Sequence, residues 1–135
     1  MATVALDTDA ASRLYRGRAH VDADMARVLA GKSIALSFIT VGELWLWAEV
    51  RSWGERRRNE LAAWIEGIPV LVSDNLVAST WGRITAAARA RGRPRPVNDT
   101  WVAACCIANE VPLLTYNRDD FEDFERYDGL ILADV

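Results

Sequence analysis

The sequence has 135 residues, 51% hydrophobic and 26% charged, with 16 basic and 19 acidic side chains for a net charge of -3. That is an ordinary globular composition, expected to form one domain over residues 1–135 with a core that needs no disulfide or metal staple. A lone histidine, His20, excludes a zinc site built on two or three imidazoles and a nuclease working with a histidine pair, and the acidic balance argues against a general nucleic-acid coat protein.

Short apolar runs alternate with helical patterns along the chain. Val4-Ala5-Leu6 reads as a buried strand ending at Asp7. A helix over 22–29 closes at Gly31, and Ser33 to Phe38 forms the second strand. Helices over 41–53 and 55–65 meet at Gly54, and a third strand covers 69–72. A long helix over 75–91 ends at Gly92, before a loop rich in arginine and proline. A helix over 100–109, a strand over 112–115, a short helix over 120–126 and a closing strand over 130–132 complete the pattern. The fold class is α/β, with a mostly parallel central sheet of four to five short strands flanked by helices.

Cys105 and Cys106 are neighbours in an apolar helix and poorly placed to bond to one another, so both are core candidates and a reducing, cytoplasmic setting fits best. The N-terminus lacks the basic and apolar regions of a signal peptide, and no apolar run is long enough to span a membrane.

In open α/β sheets, ligands bind at the carboxyl ends of the strands. There the sequence puts Asp7-Thr8-Asp9, Thr40-Val41-Gly42-Glu43 and Thr115-Tyr116-Asn117-Arg118-Asp119-Asp120, and Asn98-Asp99-Thr100 opens a helix beside them. Acids from four segments gathered in one crevice repel each other, and a hard divalent cation relieves that repulsion. Mg²⁺ or Mn²⁺ held there suits phosphodiester hydrolysis, by lowering the pKa of a bound water and neutralising phosphate charge. Local roles compete with this reading. Thr40 to Glu43 matches a capping box, Asn98 and Asn117 can cap helices, and Asp99, Asp119 and Asp120 suit helix first turns.

His20 reads as a surface residue. Trp45, Trp47, Trp53 and Trp64 crowd two neighbouring helices and suggest a partner surface. Arg56-Arg57-Arg58 and the arginines between Arg89 and Arg95 are either solvated charge or phosphate-holding groups.

These motifs, in this order over almost the whole chain, resemble the PIN-domain ribonucleases, in particular the VapC-type toxins of toxin–antitoxin modules. Val4 to Thr8 resembles that family's opening strand with its first acid, Thr40 to Leu44 its second motif, Asn98 to Ala104 its third and Leu113 to Phe121 its fourth. Asp9 departs from the Asn or Ser usual there, and Asn117 stands where Asp is frequent, leaving Asn117 or Asp120 as the fourth site residue. The resemblance implies RNA cleavage with Mg²⁺ or Mn²⁺, a homodimer, and inhibition by a cognate VapB-type antitoxin whose segment lies in a groove near the tryptophan-rich helices. It implies Asp7 and Asp99 as main metal ligands, Glu43 as the residue that orients or deprotonates water, Asn117 or Asp120 completing the shell, and Thr115 adding a hydroxyl. A haloacid-dehalogenase-like phosphatase is the alternative enzyme, since Asp7-Thr8-Asp9 fits its nucleophile and acid, but Lys32 precedes the second strand instead of following it. A catalytically inactive PIN-like binding module is the non-enzymatic alternative.

Overall fold

The computed structural model describes residues 2–134. A four-stranded sheet of order β3-β2-β1-β4 is built from β1 (Thr3–Leu6), β2 (Ser33–Ser37), β3 (Val70–Leu71) and β4 (Leu113–Leu114). Every pairing is parallel, with Val4 opposite Ile34, Leu6 opposite Leu114 and Leu36 opposite Val70. The chain builds outward from β1 through β2 to β3, then returns to lay β4 on the other side of β1. Strand order therefore reverses between β1 and β4, and a crevice opens at the carboxyl ends of those two strands.

Side chains alternate across the pleat and divide the core in two. Ala5 and Leu113 face one layer, with Val77 and Ile84 of α5 (Asn75–Ala90), the buried run Val102–Cys106 of α6 (Val97–Ala108), and Phe121 and Phe124 of α7 (Arg118–Asp128). Val4, Leu6, Leu36 and Leu114 face the opposite layer. There they meet Ala10 and Ala11 of α1 (Thr8–Arg16), Met25 and Val28 of α2 (Ala23–Leu29), Leu44 and Ala48 of α3 (Phe38–Val50), and Leu61 of α4 (Glu55–Glu66). Cladding on both faces explains why the strands read as continuous apolar runs. Both cysteines are buried, as their placement in an apolar helix predicts, and His20 is exposed on a single 3₁₀ turn, Arg18–His20.

Several boundaries differ from the sequence reading. Helix α1 is not anticipated there; it starts directly after β1 because the Asp7 side chain accepts the Ala10 amide at 2.8 Å and serves as its N-cap. Helix α3 begins at Phe38 instead of Val41, since Ser37 is the N-cap and its hydroxyl accepts the Thr40 amide at 3.2 Å. Helix α6 begins at Val97 instead of Thr100, with Pro96 at the N-cap, because a proline without an N–H suits a helix start. Helix α7 extends over 118–128 and stops at Gly129, whose φ of 89° is left-handed. Strands β3 and β4 shrink to two residues each, the prolines before them contributing only carbonyls: Pro69 accepts Leu36 N at 3.1 Å and Pro112 accepts Ala5 N at 2.8 Å. The closing strand over 130–132 reduces to one bridge, Leu113 to Leu132.

The first arginine run is partly structural. Arg58 donates to the carbonyls of Trp53 and Ala48 at 2.6 and 3.2 Å and pairs with Glu49, tying α4 to the end of α3. Arg57 lies over the Trp53 ring at 4.3 Å. In the second run, Arg93 pairs with Asp123 at 2.7 Å, fastening the loop after α5 to α7.

Candidate active site

At the β1–β4 crevice, a cleft of about 160 Å³ is lined by Asp7, Asp9, Glu43, Asp99, Asn117 and Asp120, with Thr8, Val102 and Phe121 completing its wall. All five residues singled out from the sequence meet in this one cleft, although they come from five elements or their junctions.

Asp7 is the most firmly held. It is 5% exposed, its Oδ1 accepts the Ala10 amide, and its Oδ2 accepts a short hydrogen bond from the Thr115 hydroxyl. Thr115, fully buried just after β4, is itself fixed by accepting the Asn117 amide at 2.9 Å. Burial raises the Asp7 pKa above the usual carboxylate value, while the bonds from Thr115 and Ala10 pull it back down; nearby Asp9 adds to the rise and the Asn117 side chain opposes it.

Glu43 does not close a capping box. Its own helix has begun a turn and a half earlier, and its Oε1 instead accepts the Thr8 hydroxyl at 2.9 Å. Thr8 is the positioning residue that sequence reasoning missed; its only signal is its place next to Asp7. Asn98 lies inside α6 and is not its cap. Asn117 occupies the N-cap position of α7, but its side chain makes no capping bond. Asp120 is exposed in the first turn of α7 and faces the cleft.

Asp99 is the least supported. Among the described residues its carboxylate makes no hydrogen bond and no close ion pair. Its pKa is pushed up to about 6, first by desolvation, then by the charges of Asp120, Glu43 and Asp7, with Arg95 opposing. A carboxylate so surrounded is short of positive charge. Asp9 differs, since Arg13 one turn along α1 pairs with it at 3.3 Å.

The donor set suits a hard cation. Every polar side chain lining the cleft is an oxygen donor or an amide, whereas Cys105 and Cys106 are buried with thiol pKa values pushed up by burial. No three His, Cys, Asp or Glu side chains among the described residues are already drawn together to metal-ligand spacing, so a cation would have to draw the carboxylates in. Lys32 stands immediately before β2, at the opposite end of the parallel sheet from Asp7, which leaves the phosphatase reading without its lysine.

Residues 4–130 match the PIN domain, and the chain belongs to that family. Among its relatives, Ribonuclease VapC4 of Mycobacterium tuberculosis is 29% identical over 92 residues, which is 67% of this chain and 71% of that protein. Ribonuclease VapC1 of Haemophilus influenzae is 25% identical over 118 residues, 87% of this chain and 88% of the relative. Among solved structures, VapBC-1 from nontypeable Haemophilus influenzae superposes with a TM-score of 0.78 at 25% identity, covering 98% of this chain and 97% of that one. A chain of VapBC2 from Rickettsia felis, solved bound to a promoter DNA fragment, shares the fold with a TM-score of 0.77 at 19% identity over 96% of both chains.

Proposed function

We propose that the chain is a divalent-metal-dependent ribonuclease that hydrolyses RNA phosphodiester bonds as the toxin of a toxin–antitoxin pair. The observation that carries this reading is the cleft at the carboxyl ends of β1 and β4, where Asp7, Glu43, Asp99 and Asp120 converge and Asp99 makes no hydrogen bond among the described residues. Family membership and relatives named as VapC ribonucleases support it. Mg²⁺ or Mn²⁺, held by Asp7, Asp99, Glu43 and Asp120, would supply charge neutralisation at phosphate and a lowered pKa for water.

The chain's own groups divide the remaining work. Thr115 and the Ala10 amide hold both oxygens of Asp7 and favour its ionised form. Thr8 holds Oε1 of Glu43 and leaves Oε2 to orient the attacking water or take its proton. Asn117 offers an uncharged amide where another carboxylate would deepen the repulsion. Asn117 and Asp120 both line the cleft, and the fourth site residue is one or the other.

The partner is a VapB-type antitoxin, and the working form is a homodimer. No helix among the described residues is long and apolar enough to cross a membrane. The tryptophan-rich helices offer a place for the antitoxin. Trp45, Trp47, Trp53 and Trp64 are half-buried, and Arg16, Arg51 and Arg57 rim a small cleft beside Trp47 and Trp53. An apolar segment carrying acidic residues complements that surface.

RNA cleavage by wild type and Asp99→Asn, each with Mn²⁺ and with EDTA, tests the proposal. Cleavage only by wild type with metal is expected. Equal cleavage by both proteins, or none by a folded wild type with metal, overturns it.

A further inference from the structure

At one rim of the acid cleft, an arginine is held between α1 and the loop after β4. Arg13 leans back along α1, and its Nε stands 3.3 Å from Oδ2 of Asp9, which lines the cleft. Its guanidinium carbon lies 3.9 Å from the centroid of the Tyr116 ring. Tyr116 sits in the chain between Thr115, which holds Asp7, and Asn117, which lines the cleft. The Tyr116 hydroxyl donates to Asp22 Oδ1 at 2.9 Å, and the same oxygen accepts the Met25 amide at 2.8 Å at the start of α2. The ring is thus tethered at its far end and forms a fixed seat for the guanidinium.

An ion pair one turn apart on a helix surface contributes little by itself and needs no aromatic support. What distinguishes Arg13 is what remains free. Stacking on a ring occupies a face of the guanidinium and leaves its N–H groups directed outward in the plane. Nε faces Asp9, while neither terminal nitrogen makes a hydrogen bond among the described residues. The side chain is 33% exposed, so an incoming ligand can reach those nitrogens. Neighbouring arginines differ. Arg118, next to Asn117 in the chain, donates to the Ala133 carbonyl at 3.3 Å and pairs with Glu125. Arg95, which acts electrostatically on Asp99, has its Nε buried.

Parallel N–H donors in a fixed plane match two oxygens of one phosphate. A strand cut inside the cleft carries further phosphates on either side of the one being cut, and those meet the field of Asp7, Glu43, Asp99 and Asp120 without a cation of their own. Arg13 supplies one at the rim, already aimed and already partly desolvated by the ring beneath it. We infer that Arg13, seated on Tyr116 and positioned by Asp9, binds a backbone phosphate of the RNA strand adjacent to the scissile one through its terminal nitrogens. This inference rests on the ribonuclease reading for the source of the phosphate, but the contact can be measured without metal and without cleavage.

Fluorescence anisotropy of a labelled, mixed-sequence single-stranded RNA is measured in EDTA over a series of low salt concentrations, with a labelled poly-glutamate peptide as control. Arg13→Gln should weaken RNA binding about 10-fold and lower the slope of log affinity against log salt by about 0.7, the share of one phosphate contact on a single strand. Arg13→Lys keeps the charge and should keep the slope while losing part of the affinity, because an ammonium makes no bidentate contact. Tyr116→Leu removes the seat and should reproduce the weakening, so it serves should Arg13→Gln fail to fold. In cleavage with Mn²⁺, the loss in Arg13→Gln should fall on KM and not on kcat. An RNA affinity and slope unchanged by Arg13→Gln make Arg13 a surface ion pair only, and an equal weakening for the peptide makes it a carboxylate contact. A loss confined to kcat makes it part of the cleft's chemistry, and a wild type that holds no RNA in EDTA lacks the contact altogether; each overturns the inference. RNA cleavage by a protein indifferent to Arg13→Gln leaves the ribonuclease reading standing. Arg13-dependent RNA binding by a protein that cleaves no RNA removes that reading and keeps the contact.

Discussion

Replacing Asp99 by asparagine should make the protein more stable at neutral pH, although the residue is proposed to be essential. In the folded chain the carboxyl pKa rises from 3.8 to about 6. A folded-state pKa above the unfolded one means that the folded state binds more protons between those values. The stability associated with this group is therefore complete below about pH 4 and lost as the pH rises through about 6. A rise of that size corresponds to about 3 kcal/mol at most, and solvent screening at a partly exposed side chain reduces it to about 1–2 kcal/mol. Asparagine removes the charge at nearly constant shape and breaks no hydrogen bond, since Asp99 makes none among the described residues. For a chain of this size, about 1–2 kcal/mol raises Tm by roughly 3–8 °C. Thermal melts of both proteins in EDTA at pH 7.5 and pH 4 check this. The variant should gain at pH 7.5 and show no advantage at pH 4. Millimolar Mn²⁺ should raise wild type more than the variant and narrow the gap. An unchanged or lower Tm for the variant at pH 7.5, or an equal gain at both pH values, refutes the electrostatic account of the cleft.

Thr115→Val removes a bond that favours ionised Asp7, so the Asp7 pKa rises further and the acid limb of the RNA-cleavage pH profile moves to higher pH. The same variant should lose about 1–2 kcal/mol in denaturant unfolding, because Thr115 is buried and also accepts the Asn117 amide. Thr8→Val frees Glu43 and should lower kcat by about 10-fold, the size of effect seen when a supporting contact around a metal site is lost. Its melting temperature should stay close to wild type. Arg58→Met leaves the carbonyls of Trp53 and Ala48 without their donor and should cost about 1–2 kcal/mol in unfolding while RNA cleavage per folded molecule is unchanged. A selective loss of RNA binding would instead make that arginine a phosphate ligand.

How well each part could be read from the sequence depended on how far its cause lay along the chain. The α/β alternation and the parallel sheet followed from apolar runs such as Val4-Ala5-Leu6, because burial on both faces leaves a local mark. Helix α1 left a weaker one. Its buried residues are Ala10, Ala11 and Ser12, small side chains that give little hydrophobic signal, and its start depends on Asp7, a residue equally suited to a metal site. Asp7, Asp99 and Asp120 reached a common cleft because each follows a strand or lies in the first turn of a helix, which local patterning can reveal, whereas Glu43 lies in the second turn of α3. Competing capping roles could be separated only by tertiary contacts: Ser37 supplies the α3 cap, and Thr8 then engages Glu43 across 35 positions of chain. No local pattern announces that pairing.

Asp7 serves two structures with one carboxylate, since Oδ1 starts α1 while Oδ2 is held by Thr115 beyond β4. This couples folding to activity in any genetic screen. Substitution by alanine removes the α1 cap and the Thr115 acceptor together with the charge, so a silent Asp7→Ala protein says little about chemistry. Glu43 and Asp99 carry no comparable architectural duty. Inactive proteins that remain folded should therefore be obtained most cleanly at Glu43 and Asp99, while losses at position 7 are shared between missing activity and missing protein.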